Sequence, residues 1–310
     1  WGVYPVANNV SIPFIDPTSC SAGGTCSAQS NRIPDGGTSD VEPKMFEAAL
    51  NTPAGFAGAI NVANMTVDPY VSTVFGLAVS NALYAKLQAD QGTAGRPSVS
   101  QASVGQMLRS GYPFDSQAWK LLLPNTTDGT QLSQVTICRR VQGSGTQAAA
   151  NRFFLEYPFN SGATLAPSTA GDSSVATHGT AAGNLFVVEG SSTSNVTACL
   201  TSANAASGFA IGHVSYENAE TANWKFVKIN GQEGGRDLAK VGKYAYMFES
   251  TCQYRNALTG SALTFAKKLC EGSASPANLA SLAAATQNGV MAPPQNPACP
   301  GTVAPATTFC

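Results

Sequence analysis

The sequence predicts an α/β fold made of two compact units with mainly parallel sheets. Three observations predict it. Strand-like and helix-like segments alternate through the middle of the chain. One strand-like run, at 135–141, breaks at glycines directly into a helix-like run, at 146–155. The length, 310 residues, is enough to bury a large core and suggests two units rather than one.

Taken in order, the first 37 residues read as loop, because Asp16-Pro17, Gly23-Gly24 and Asp35-Gly36-Gly37 break any period, and no helix is expected there. Ser39-Asp40 then precede Glu42-Pro43-Lys44-Met45-Phe46-Glu47, which has the N-cap residue, acidic first turn and early proline of a short helix over 42–50. Residues 71–79 read as a buried strand flowing into a helix through Leu83, Tyr84 and Leu87. A helix over 98–108 opens with Ser98 or Ser100, and 112–123 carries Phe114, Trp119 and Leu121 through a turn and a short segment. Further strands are expected at 135–141, 185–188 and 209–216, with helices at 146–155 and 191–202. The Pro-rich stretch 293–310 reads as an extended tail, and no internal repeat is found.

Composition removes several function classes. Charged residues make up only 11% of the chain, against about 25% in ordinary soluble domains, so solubility rests on hydroxyls and amides, as in exported proteins. A formal net charge of −1 without a basic run gives no source for the counterion release that drives nucleic-acid binding. No apolar run approaches the roughly 18–20 residues of a membrane-spanning helix. The chain starts at Trp1, so either a leader has been removed or the sequence starts partway into a longer product.

The eight cysteines form no CxxC pair, and with only His178 and His213 available a zinc site is a poor reading. An even count in a charge-poor chain points to disulfides in an oxidising compartment, with free buried thiols as the alternative. The short loops Cys20–Cys26 and Cys299–Cys310 are the first choices, then Cys252–Cys270, which leaves Cys138–Cys199 as the long-range staple.

The chemistry concentrates in Arg140-Val-Gln-Gly-Ser-Gly-Thr146. A strand that breaks at Gly143 and Gly145 into a helix presents free backbone N–H groups at a positive dipole end, which suits an oxyanion. Ser144 and Thr146 add hydroxyl donors, and the guanidinium of Arg140 can hold two oxygens at once. The segment lacks the lysine of a Walker A loop and the pattern GxGxxG, no GxSxG elbow occurs, and the histidines lie in no triad arrangement. A simple helix cap is the alternative reading of the same residues.

Five segments in order resemble the phosphate-binding proteins of ABC transporters, in the type 2 periplasmic-binding-protein superfamily. Thr38-Ser-Asp40 resembles the family's Ser-Asp helix start, and 70–79 its strand crossing between lobes. The region 97–108 followed by Trp119 resembles its Leu-Ser…Ile-Phe…Trp region. Arg140 to Thr146 matches its Arg-x-x-Gly-Ser-Gly-Thr anion loop, and Gly208-Phe-Ala-Ile-Gly-His-Val resembles its Gly-Ala-Ile-Gly-Tyr-Val segment. The resemblance implies a two-lobed α/β fold with an interlobe cleft, one lobe being 1–78 plus 208–310 and the other 79–207. It implies an anion bound by Arg140, Gly143, Ser144, Gly145 and Thr146 from one lobe and by Ser39 and Asp40 from the other, with no cofactor. The Asp40 carboxylate can only accept a hydrogen bond, so it favours an anion that still carries a proton, hydrogen phosphate over sulfate; an ordinary N-cap is its plainer role.

Two departures stand out. Gln142 occupies the place where the family often has an acidic residue that orients the arginine. The family also opens with a strand and a Gly/Thr-rich turn that add anion donors; residues 1–37 show no such unit, so it lies upstream or is lost, and its loss leaves a sheet edge uncovered. The leading expectation is a periplasmic or secreted solute-binding protein that captures phosphate or a similar oxyanion by cleft closure, without catalysis, and works with an ABC permease. The competing expectation is a structural subunit of an extracellular assembly, partnered by copies of itself that complete the open edge. A phosphate-ester hydrolase is disfavoured because no metal cluster or nucleophile–base pair is visible.

Overall fold

A computed structural model describes residues 2–53, 55–56, 60–109, 119–129, 134–165, 168, 170–171, 185–283, 286 and 288–291. The chain is a mixed α/β protein around one nine-stranded sheet.

The N-terminal segment is more structured than its glycines and prolines suggest. It forms a one-turn helix α1 (Tyr4–Ala7) with proline in its first turn and all four residues buried, a two-stranded ribbon β1 (Ile12–Ile15) and β2 (Gln29–Arg32), and a strand β3 (Gly36–Ser39). The expected helix at 42–50 is instead a 3-10 turn, Pro43–Glu47, preceded by Glu42 without a side-chain cap. Ser39 and Asp40 therefore cap no helix; the Ser39 hydroxyl accepts from the Val41 amide at 3.3 Å.

Strand β4 (Met65–Ser80) is the longest element, and its last ten residues are all buried. A strand buried on both faces needs a continuous apolar run, which 71–79 supplies. The strand begins six residues before that run, across Pro69, which pairs with Thr251 where the register of its neighbour shifts. Proline has no N–H to give the ladder, so a shift there is the expected accommodation. The Ser80 hydroxyl then accepts from Leu83 N and starts α2 (Asn81–Gln91), which Gly92 ends in the left-handed conformation, φ 61°.

Beyond α2 come β5 (Ser98–Val99) and α3 (Gln101–Leu108), capped by Ser100. Then follow β6 (Val135–Arg140), α4 (Gly145–Leu155), β7 (Ala170–Gly171), β8 (Leu185–Gly190), α5 (Thr193–Ala205) and β9 (Ala210–Ser215). The C-terminal part adds β10 (Trp224–Phe226), β11 (Lys228–Ile229), α6 (Arg236–Lys240), β12 (Met247–Arg255), α7 (Gly260–Ser273), α8 (Pro276–Ala280) and β13 (Val290–Met291).

The sheet order is β3-β12-β4-β9-β6-β8-β7, with β10 and β13 also pairing with β4. Strands β9, β6, β8 and β7 are parallel. All pairs made by β4 and β12 are antiparallel. The expectation of mainly parallel sheets is thus corrected to a mixed sheet. Its antiparallel half depends on β12, whose partners lie some two hundred residues away in sequence: Cys252 faces Thr38.

Most buried apolar side chains form one contiguous cluster that includes Phe75, Trp119, Ile137, Leu200 and Tyr246; a smaller one joins Cys252, Tyr254, Leu258 and Cys270 under α7. Three expected disulfides are present: Cys20–Cys26 in the ribbon, Cys138–Cys199 between β6 and α5, and Cys252–Cys270 between β12 and α7. Cys299, Cys310, the rest of the Pro-rich tail, Phe114 and His178 lie outside the described residues. Among the described residues no helix is long and apolar enough to cross a membrane.

Candidate anion site

Strands β6, β8 and β9 run parallel and end side by side, and α4 and α5 start just past the ends of β6 and β8. The open carboxyl ends of such strands are where α/β sheets receive ligands, because helix N-termini collect there. A cleft of about 670 Å³ opens at this edge, lined among others by Ser39, Asp40, Arg140, Thr146 and Thr193.

Arg140 is the last residue of β6. Its guanidinium donates from Nε to Gly190 O at 3.3 Å, from Nη1 to Thr193 Oγ1 at 3.3 Å and from Nη2 to Ser191 O at 2.8 Å. The β8–α5 turn thus orients it, a task that Gln142 does not perform, since the Gln142 amide donates to Ala49 O. Gly143 has φ +89° and lies against Pro53, where a Cβ would come within 2.6 Å of Cγ. Both the backbone angle and the space require glycine.

Ser144 is the N-cap of α4; its hydroxyl accepts from Gln147 N at 3.5 Å. The first main-chain helical bond, Ala148 N to Ser144 O, is 2.9 Å long. The amides of Gly145 and Thr146 precede these two bonds and face out of the helix end, the positive pole of its dipole. Asp40 fills part of that pole. A Cβ on Gly145 would lie 2.7 Å from Asp40 Cβ and 3.0 Å from Oδ2, so glycine is what lets the carboxylate approach. The Thr146 hydroxyl donates to Asp40 Oδ2 at 3.2 Å. Ser39, Asp40, Arg140 and Thr146 come together in the cleft wall, whereas Gly143, Ser144 and Gly145 shape the turn behind it.

A buried polar chain holds the two sides in register. Gln147 Nε2 donates to Asn151 Oδ1, Asn151 Nδ2 to Asn51 Oδ1, and Asn51 Nδ2 to Met45 O, each at 2.9 Å. It links α4 to the segment that follows Asp40. His213 on β9 is buried against Phe154 and Tyr246, its Nδ1 without a hydrogen-bond partner among the described residues. Burial pushes its pKa down to about 3, so the imidazole is neutral.

Thr193 and the start of α5 were not singled out in the sequence, yet Gly190-Ser-Ser-Thr193 repeats the strand, glycine, hydroxyl, helix order of the Arg140 loop. Its Ser192–Asn195 capping box marks a helix start as plainly as Ser144 does. On the floor, Thr73 and Ser250 share a 2.9 Å hydrogen bond, and Ser215 donates to Glu217 Oε1 at 2.9 Å.

No family model matches the chain, and no curated protein matches it. Among solved structures it is similar to a chain from Clostridium perfringens described as a phosphate ABC transporter substrate-binding protein with bound phosphate, at 14% identity and a TM-score of 0.49, covering 82% of this chain and 78% of that one. It is also similar to an ABC-type phosphate transport receptor from Vibrio cholerae, at 11% identity and a TM-score of 0.43, covering 74% of each chain.

Proposed function

We propose that the protein is an extracytoplasmic solute-binding protein that holds hydrogen phosphate or a similar protonated oxyanion in the cleft at the N-termini of α4 and α5. The observation that carries the reading is the Asp40 carboxylate set against Gly145 and Thr146 at the helix pole, on a cleft wall shared with Arg140. Donors from two helix ends and a guanidinium suit a tetrahedral anion; the Asp40 carboxylate among them suits an anion that still has a proton to give. The division into lobes 1–78 plus 208–310 and 79–207 belongs to this proposal, as does delivery of the anion to an ABC permease. Periplasmic or secreted placement is supported by the three disulfides, which persist in oxidising compartments. A binding rather than catalytic role is supported by His213, which is buried and does not line the cleft.

Titration calorimetry with inorganic phosphate tests this. The native protein is expected to bind, Arg140→Ala to bind at least tenfold more weakly, and Asp40→Asn to narrow the preference for phosphate over sulfate. Absence of heat from a folded sample, or an Asp40→Asn protein with unchanged preference, overturns the reading.

A further inference from the structure

We infer that the cleft receives its anion as the head group of an organic phosphate monoester, with the carbon body lying along the opposite wall. This rests on the anion reading above and narrows its ligand class. The cleft measures about 670 Å³, whereas a five-atom tetrahedral anion displaces roughly the volume of three waters, about 90 Å³. Cavities of several hundred Å³ are the size that whole small molecules fill.

The excess volume is not featureless. The groups suited to an anion, Asp40, Arg140, Thr146 and Thr193, come from β6, α4, α5 and the end of β3. The rest of the lining includes Tyr70 and Val290 and a wall contributed by α7, α8 and the residues after them: Ser273, Leu279 and Leu282. Leu282 is 37% exposed, an unusual state for a leucine in a concave wall. Apolar side chains mixed with hydroxyls match a body that has both a carbon face and polar substituents.

The head-group chemistry agrees. Asp40, an acceptor that already takes the Thr146 hydroxyl, favours an anion with a proton to give. A phosphate monoester retains one P–OH as its monoanion, with a second pKa of about 6. A diester or a sulfate ester has none to give.

Calorimetry at pH 6 with inorganic phosphate, glycerol 3-phosphate, glucose 6-phosphate, phosphoserine and dimethyl phosphate tests the inference. At least one monoester is expected to bind tenfold or more tightly than phosphate, and dimethyl phosphate not at all. Leu282→Trp, which adds bulk at a part-exposed position, is expected to abolish the monoester's advantage while phosphate affinity stays within twofold. If phosphate binds and no monoester exceeds it, or if Leu282→Trp weakens both equally, the inference is wrong while the anion reading survives. If neither phosphate nor any monoester binds to folded protein, the anion reading falls and takes the inference with it.

Discussion

The two halves of the sheet bring different chemistry to the cleft. The parallel half, β9-β6-β8 with α4 and α5, points helix N-termini and the Arg140 guanidinium, all of them donors, towards the cleft, and brings the Glu217 carboxylate to its lining just past β9. The antiparallel half, β3-β12-β4, brings the C-terminal end of α7, Ser273, to the lining rather than a helix N-terminus like those of α4 and α5. It contributes side chains: the Asp40 carboxylate at the end of β3 and the hydroxyls of Thr73 and Ser250. On the proposed anion reading, the Asp40 carboxylate among these donors would favour a ligand that still carries a proton.

This contrast can be broken or sharpened by experiment. The largest effect is expected from Cys138→Ala with Cys199→Ala, which opens a loop of 61 residues inside the parallel half; chain-entropy reasoning gives a loss of roughly 4 kcal/mol in urea unfolding. Asn151→Leu cuts the polar chain between the halves and leaves the buried amides of Gln147 and Asn51 each short of a partner. A loss of about 3 kcal/mol is expected by the same measurement, together with weaker anion binding as Asp40 drifts from the helix pole. If stability falls and binding does not, the chain is not what aligns the two sides.

His213 lies at the seam, on β9 opposite Leu77 of β4. Its folded pKa, about 3, lies below the ordinary value of 6.5. The unfolded chain therefore takes up the proton first, and the stability present above pH 6.5 is lost as pH falls from there towards 3. The slope is about 1.4 kcal/mol per pH unit, or about 2 kcal/mol by pH 5. A series of melts should show it, and His213→Leu should flatten it; an unchanged slope in the variant would assign the acid sensitivity elsewhere. The smallest effect is Ser144→Ala, which removes a helix cap for about 1 kcal/mol, whereas Ser144→Gly should lose only a few tenths. If anion affinity falls much more than stability in Ser144→Ala, the hydroxyl is a ligand as well as a cap.

Legibility in the sequence followed the same division. In the parallel half each strand hands over to its helix within a few residues, so 135–141 with 146–155 and 185–188 with 191–202 could be read from local pattern to within a residue or two at most ends. The Arg140 loop was legible for the same reason, whereas the Cys138–Cys199 staple followed by elimination once the shorter loops were paired. The antiparallel half is assembled from distant pieces. Strand β12 carries Glu249, Ser250, Thr251 and Gln253 among its apolar residues and gives no clean alternation, while β3 is Gly-Gly-Thr-Ser, which reads as turn. Their pairing is a tertiary fact that no window of sequence contains. Asp40 was identified as facing the anion loop only through its resemblance to a known motif. Its closeness to Gly145 depends on the packing of β3 and on the polar chain through Asn51, neither visible in residue order.

Strand β4 has a mechanical consequence. It pairs through its first ten residues with β12 and β13 and through its last six with β9 and β10, so one unbroken span of backbone belongs to both halves. Where a loop joins two halves, rotation about a few dihedral angles moves them freely. Here, any widening of the cleft that carries the two halves apart has to flex β4 itself, whose pairing on both sides resists shear. The structure is built like a stiff beam with the cleft on one edge. On the proposed reading, capture of an anion would rely on small adjustments of side chains rather than on large swings of one half against the other.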